Sequence, residues 1–164
     1  MMSAIVGAGF KPAHTTVLAI SCVVVSLLGS APTATHAGKR IDQTTRFAPV
    51  HIYIDSGGKP LAAYQFELKA ASGQIKIVGV EGGEHPAFKE APYYDPAALM
   101  NDRIIIAAFN TGRDLPAGRT RIATLHLQIL GDAEPEYRLT LITAADADGS
   151  ELPVEITYER GEQK

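Results

Sequence analysis

Residues 50–55 read Val-His-Ile-Tyr-Ile-Asp, and residues 64–69 read Tyr-Gln-Phe-Glu-Leu-Lys. In each stretch the side chains alternate between a mainly apolar and a mainly polar phase, which is typical of a β-strand with one buried face. Residues 56–60, Ser-Gly-Gly-Lys-Pro, interrupt the alternation with residue types that favour tight turns. The two stretches therefore indicate a domain built from short strands that are joined by turns.

The same pattern recurs towards the carboxyl terminus, in residues 75–80, 122–129, 137–144 and 152–158. Residues 102–109 (DRIIIAAF) are apolar in both phases, so we expect a central strand that is buried on both faces. The Asp148-Gly149 step between the last two strands is typical of a hairpin. The sequence predicts an all-β fold, a two-sheet β-sandwich or jelly roll of about seven to nine strands.

The amino-terminal segment has the pattern of an export signal. Lys11 precedes an apolar run over residues 17–31, and Thr-His-Ala at 35–37 fits a peptidase site. We expect cleavage after Ala37, and a secreted, periplasmic or cell-surface location in a bacterium, with membrane contact only through export. An uncleaved membrane anchor and lipid attachment at Cys22 are the alternatives. We expect residues 38–46 to be a flexible segment, residues 47–159 to form the sandwich and residues 160–164 to form a disordered tail.

Composition excludes one class of function and sets the source of stability. The net charge is −3, and acidic and basic residues are interspersed, so no basic cluster predicts nucleic-acid binding. Cys22 is the only cysteine and lies in the predicted signal. The exported domain would therefore lack disulfides, and its own apolar core would have to hold the fold.

Metal ligands and catalytic groups do not occur in a recognisable spacing. The predicted domain has three histidines without the local pairing of a zinc site: His51, His85 and His126. Asp146, Asp148 and Glu151 match only the end of a calcium loop, and a hairpin turn is the preferred interpretation. Neither a nucleophile motif nor a marked pair of carboxylates is present. We predict a domain that is not an enzyme and has no cofactor.

A long connection over residues 81–101 is a candidate for binding, because connections of this length are often functional loops. Within it, Asp95 and Pro96 predict the start of one helical turn. The aromatic residues Phe88, Tyr93 and Tyr94 would either form a binding patch or fold back over an open end of the sandwich. The outward phase of the strands offers further candidates: His51, Tyr53, Gln65, Glu67, Thr124, His126 and Gln128. The predicted binding residues are Tyr53, Glu67, Tyr93, Tyr94 and His126.

The order of these elements resembles a cohesin module over residues 47–159. The strands that carry the resemblance are residues 50–54, 63–68, 104–110 and 122–127, followed by the turn at residues 146–149. The resemblance implies a non-enzymatic adhesion module that docks a dockerin-type protein against one sheet face, the calcium of such a complex belonging to the dockerin. The alternative is a small carbohydrate-binding module for polysaccharide binding or breakdown, which would use Tyr53, Tyr93 and Tyr94.

Overall fold

Eight strands and two short 3-10 helices make up the chain in a computed structural model that describes residues 44–162. The strands are β1 (Thr45–Asp55), β2 (Ala63–Ser72), β3 (Gln74–Gly82), β4 (Tyr93–Tyr94), β5 (Arg103–Phe109), β6 (Arg119–Leu130), β7 (Glu136–Ala145) and β8 (Glu155–Arg160). The 3-10 helices are Pro86–Phe88 and Pro96–Ala98. The predicted signal peptide and most of the segment after it lie outside the described residues.

The strands form two four-stranded antiparallel sheets that pack face to face. Sheet A has the order β3-β6-β1-β8, and sheet B has the order β4-β5-β2-β7. The predicted two-sheet sandwich is confirmed. The first strand begins at Thr45 and the last ends at Arg160, so the strands reach slightly beyond the expected residues 47–159.

The core lies between the sheets and is made of the apolar phase of each strand. In β1 these residues are Val50, Ile52 and Ile54, all essentially inaccessible to water. Sheet B contributes the facing layer: Tyr64, Phe66, Leu68, Ile104 and Ile106. Because alternate side chains of a strand lie on opposite faces, the remaining residues of every strand form two outer faces, one for each sheet.

A hydrogen bond between the sheets stabilises an irregularity in β6. The register between β1 and β6 shifts after Ile52, so Ile122 has no partner residue in β1. The buried hydroxyl group of Tyr64 in sheet B donates to the carbonyl oxygen of Ile122 at 2.9 Å. Burial raises the pKa of Tyr64 well above its usual value, so the hydroxyl remains a donor over the physiological range. The carbonyl group of Ile122 at this β-bulge therefore accepts a hydrogen bond from a side chain of the opposite sheet.

The predicted hairpin at the end of the chain is only partly formed. Asp146 closes a tight turn by accepting hydrogen bonds from the backbone N–H groups of Asp148 and Ser150. However, β7 pairs with β2 in sheet B and β8 pairs with β1 in sheet A, and one bridge, Ala145–Glu151, joins the two arms of the turn. Leu152 is buried and Pro153 lacks an N–H donor, and the chain passes here from β7, an edge strand of sheet B, to β8, an edge strand of sheet A.

The long connection is more structured than the sequence indicates. As predicted, Asp95 caps a helical turn, accepting from the N–H group of Ala97, and the turn is a 3-10 helix, Pro96–Ala98. The other 3-10 helix, Pro86–Phe88, comes earlier in the connection and is capped by the side chain of His85. Between them, Tyr93–Tyr94 forms the edge strand β4, which pairs with β5. The sequence indicates neither His85 as a cap nor β4 as a strand.

Candidate functional site

The outer face of sheet B carries a cluster of exposed apolar side chains. Tyr93 is 68% exposed and Phe109 is 64% exposed, and their rings are nearly parallel with centroids 6.0 Å apart. Ala107 lies opposite Tyr93 in the ladder, and Ile105 lies two residues before Ala107 on the same face of β5. Ile142 of β7 is 48% exposed. We call the group Tyr93, Ile105, Ala107, Phe109 and Ile142 the aromatic patch.

The aromatic patch corrects one expectation about β5. The strand is apolar in both phases, which predicts burial on both sides, but only Ile104 and Ile106 are buried. The other phase, from Ile105 to Phe109, lies on the outer face of sheet B. Ile105 and Ala107 are partly buried and Phe109 is exposed, so the second apolar phase marks a surface rather than a second core.

The segment that supplies Tyr93 is anchored at several points. Phe88 is buried against Tyr64, with ring centroids 5.1 Å apart in an edge-to-face arrangement. The side-chain amide of Asn110 donates to the carbonyl oxygen of Ala87 at 2.9 Å. The N–H group of Gly83 donates to the carbonyl oxygen of Phe88 at 2.7 Å. These bonds attach the segment to both sheets, because Gly83 continues from β3 and Asn110 follows β5. These contacts therefore fix the backbone of the segment that carries Tyr93.

Beside the aromatic patch lies a hollow of about 660 Å³, which is lined by residues of β4, β5 and the segment that follows β4. Its lining includes Tyr93, Ile105 and Ala107 of the aromatic patch together with polar residues. The polar lining residues are Gln65, Asp95, Asn101, Asp102 and Arg103. The hollow thus combines an exposed ring with hydrogen-bonding groups, the combination that small-molecule sites use for contact area and orientation.

The outer face of sheet A has a different character, because its polar side chains contact one another. The guanidinium group of Arg119 lies 3.8 Å from the centroid of the Tyr53 ring and donates to Glu159 at 2.7 Å. Partial burial, followed by the charge of Glu159 and a hydrogen bond to it, raises the pKa of Tyr53. Tyr53 is thus already engaged by its neighbours.

Two histidines extend this network across the face. Nδ1 of His51 lies 3.0 Å from the hydroxyl oxygen of the buried Thr124, and Nε2 of His126 lies 3.0 Å from a carboxylate oxygen of Glu81. Burial, and then the positive charge of Arg121, lower the pKa of His51 below its usual value. Both histidines therefore have partners within the domain.

The five predicted binding residues do not form one site. Tyr93 and Glu67 lie on the outer face of sheet B, where Glu67 accepts a hydrogen bond from Nε of Arg103 at 2.7 Å. Tyr94 is half-buried and packs against the core. Tyr53 and His126 lie on the outer face of sheet A. Phe88, for which the sequence leaves open a binding patch or a position folded back over the sandwich, is a core residue.

Sequence reasoning missed Phe109 and Ile142. Phe109 belongs to the second apolar phase of residues 102–109, and that phase predicted a buried face rather than an exposed one. Ile142 has no regular signal, because a register shift between β2 and β7 places it at an irregularity on the outer face.

The structure offers few groups for metal binding. No group of three or more histidine, cysteine, aspartate or glutamate side chains among residues 44–162 is arranged to hold an ion. In the turn that resembles part of a calcium loop, one carboxylate oxygen of Asp146 is already an acceptor for two backbone N–H groups. The turn thus uses this oxygen to close its own backbone.

No helix within the described part of the chain is both long enough and apolar enough to span a membrane. Comparisons of the chain with protein-family models, with curated proteins and with solved structures find no match.

Proposed function

We propose that this chain is an exported, non-enzymatic binding module of cohesin type, and that it docks a protein partner on the outer face of sheet B. The observation that carries the proposal is the aromatic patch. Exposed apolar side chains that are grouped on one sheet face are typical of an interaction surface. Tyrosine and phenylalanine bury a large area at a low entropic cost, and aromatic residues are enriched at the centres of protein interfaces.

The position of the patch supports docking by a folded partner. Its residues come from β4, β5 and β7, so they are held by ladder hydrogen bonds on both sides of β2. A face built on hydrogen-bonded strands changes little when a partner binds, which lowers the entropic cost of association. Polar residues also belong to this face: Gln65 lies between Ala107 of β5 and Thr143 of β7. The Glu67–Arg103 pair lies further along the same strands.

Affinity capture from the producing organism's envelope and secreted fractions tests this proposal, with and without calcium. We expect the chain to retain a specific protein, and retention that requires calcium would support a dockerin-type partner. The double variant Tyr93→Ala/Phe109→Ala should weaken binding by at least about 30-fold, since one truncated hot-spot residue costs about 2 kcal/mol.

The matched control is Phe47→Ala, because Phe47 is 52% exposed but lies on the outer face of sheet A. This variant should bind as the original chain does. Equal retention by all three proteins would contradict docking on sheet B, and an absence of any retained protein would contradict a protein partner.

A second candidate function is carbohydrate binding, and the hollow beside Tyr93 favours it. An exposed ring next to carboxylates, amides and a guanidinium group can contact the apolar face and the hydroxyl groups of a sugar. Of the three tyrosines expected to bind a glycan, only Tyr93 lines the hollow with an exposed side chain, because Tyr53 is on sheet A and Tyr94 is half-buried.

Substitution of Phe109 distinguishes the two functions, because Phe109 belongs to the aromatic patch but does not line the hollow. A glycan signal on an array that is lost with Tyr93→Ala and kept with Phe109→Ala would identify carbohydrate binding. Loss of protein binding with either variant, without a glycan signal, would identify protein docking.

A further inference from the structure

Three basic side chains form one row across the outer face of sheet B. Lys69 of β2 lies opposite Arg103 of β5 on one side and opposite Arg138 of β7 on the other. All three are exposed. Glu67 neutralises Arg103, whose Nε and Nη2 both contact the same carboxylate oxygen, but among residues 44–162 neither Lys69 nor Arg138 forms an ion pair. We call Lys69, Arg103 and Arg138 the basic row.

The basic row is unfavourable for the domain alone. Like charges that face each other on neighbouring strands destabilise a sheet. The chain as a whole carries a net charge of −3, so this positive charge is a local feature and not a consequence of composition. A ligand with negative charge would remove the repulsion and gain hydrogen bonds from the two guanidinium groups.

The basic row and the aromatic patch lie at different positions along the same strands. In the β2–β5 ladder, Lys69 pairs with Arg103, and Ala63 pairs with Phe109. The two pairs are six residues apart on each strand. At the rise of an antiparallel strand this separation is about 20 Å. A helix of about 13 residues or an extended segment of about six residues would reach from one end to the other.

We infer that the protein partner docks through an acidic element about 20 Å long, whose carboxylates contact the basic row while its apolar side chains cover Tyr93 and Phe109. This inference rests on the proposed function and adds the chemistry of the partner. Charge complementarity at the basic row would set the orientation of the partner and speed association, while the aromatic patch would supply most of the affinity.

Two synthetic helical peptides of about 16 residues test the inference, because each is long enough to span the face. Both carry the same phenylalanine and leucine residues at one end. One peptide has four glutamates at the other end, and its counterpart has four lysines. Binding of each labelled peptide to the full chain is followed by fluorescence anisotropy at about 50 mM salt and again at about 300 mM.

We expect the glutamate peptide to bind at least tenfold more tightly than the lysine peptide at low salt, and to lose this advantage as salt rises. Charge reversal by Lys69→Glu/Arg138→Glu should invert the preference. The control Lys59→Glu/Lys76→Glu changes the net charge equally but lies in a turn and on sheet A, and it should keep the preference. Should the reversed variant not fold by circular dichroism, Lys69→Gln/Arg138→Gln should abolish the preference.

Other outcomes overturn the inference in distinguishable ways. Equal binding of both peptides that Phe109→Ala weakens would refute the acidic partner and leave docking on sheet B intact. Binding of neither peptide would refute the acidic element, while the capture experiment would still decide the proposed function. A dimer of the chain in solution that Phe109→Ala dissociates would show that a second copy covers the face, and would refute both.

Discussion

The two outer faces of the sandwich use similar side chains in different ways. On sheet A, Arg119 contacts both Tyr53 and Glu159, and each of the two histidines lies beside a polar neighbour. On sheet B, Tyr93 and Phe109 contact each other but are mostly exposed, and two of the three residues in the basic row form no ion pair within the described chain. Phe47 is exposed on sheet A as well, but the polar side chains named there contact one another, whereas among residues 44–162 Lys69 and Arg138 of sheet B form no ion pair.

This difference separates a contribution to stability from a contribution to recognition. Side chains that already have partners gain little from a ligand and lose something when they are removed. Exposed aromatic and unpaired basic side chains add little to folding and are available for binding. Substitutions on sheet A should therefore change the free energy of unfolding, whereas those on sheet B should change affinity.

The largest effect should come from Gly83→Ala, which acts where the segment carrying Tyr93 contacts sheet A. A methyl group at Gly83 would overlap the carbonyl oxygen of Arg121 in β6. We expect the free energy of unfolding to fall by about 1–3 kcal/mol in urea denaturation, the usual cost of overpacking. In Gly79→Ala, by contrast, the methyl group would make ordinary contact with His126, and stability should change by less than about 0.5 kcal/mol.

The second-largest loss of stability should come from removing the hydrogen bond between Tyr64 and Ile122, which joins the two sheets. Tyr64→Phe removes the donor to Ile122 and leaves a buried carbonyl group without it, so we expect a loss of about 1–2 kcal/mol. Tyr93→Phe, which removes an exposed hydroxyl group, is the control and should be nearly neutral. Equal melting behaviour of the two variants would show that the bulge in β6 does not depend on Tyr64.

The faces can be compared directly through two arginine–glutamate pairs. Arg119→Ala on sheet A loses the ion pair with Glu159 and the contact with Tyr53, and we expect a destabilisation of about 1 kcal/mol. Arg103→Ala on sheet B loses the pair with Glu67 but relieves repulsion from Lys69, so the net change should be under about 0.5 kcal/mol. A reversed order in thermal denaturation would contradict the contrast between the faces.

The smallest effect should be the pH dependence due to His51. Because its pKa is lowered in the folded chain, the unfolded chain binds the proton more readily as the pH falls below the usual value of 6.5. Stability is therefore lost as the pH falls from this value through the lower folded pKa. Between about pH 7 and pH 5, the original chain should lose more stability than His51→Gln. Parallel curves for the two proteins in urea denaturation would contradict this assignment.

Much of the fold could be predicted because local alternation reports burial directly. Val50, Ile52 and Ile54 lie in the core as expected, and so do Tyr64, Phe66 and Leu68. Sheet membership could not be predicted, because alternation does not say which strands pair. The Asp148-Gly149 turn has the local chemistry of a hairpin, yet its two arms belong to different sheets.

The candidate site was predicted less well, for a related reason. A polar phase places Tyr53 and Glu67 on an outer surface, but the two residues lie on opposite faces of the sandwich. The apolar second phase of β5 predicts burial, since an exposed and a buried apolar side chain look alike in a sequence. Only the arrangement of strands shows that Phe109 is uncovered and that Lys69, Arg103 and Arg138 form one row.

The position of Arg138 has a consequence for the behaviour of the domain at high concentration. β7 is a ten-residue edge strand, and no other strand among residues 44–162 pairs along its outer side. Such an edge is a template for strand-to-strand aggregation, and charged side chains on it act as a barrier. Arg138 lies on this edge beside the partly apolar run from Leu139 to Ile142. The guanidinium group that would attract an acidic partner would therefore also oppose edge-to-edge pairing of two copies of the chain.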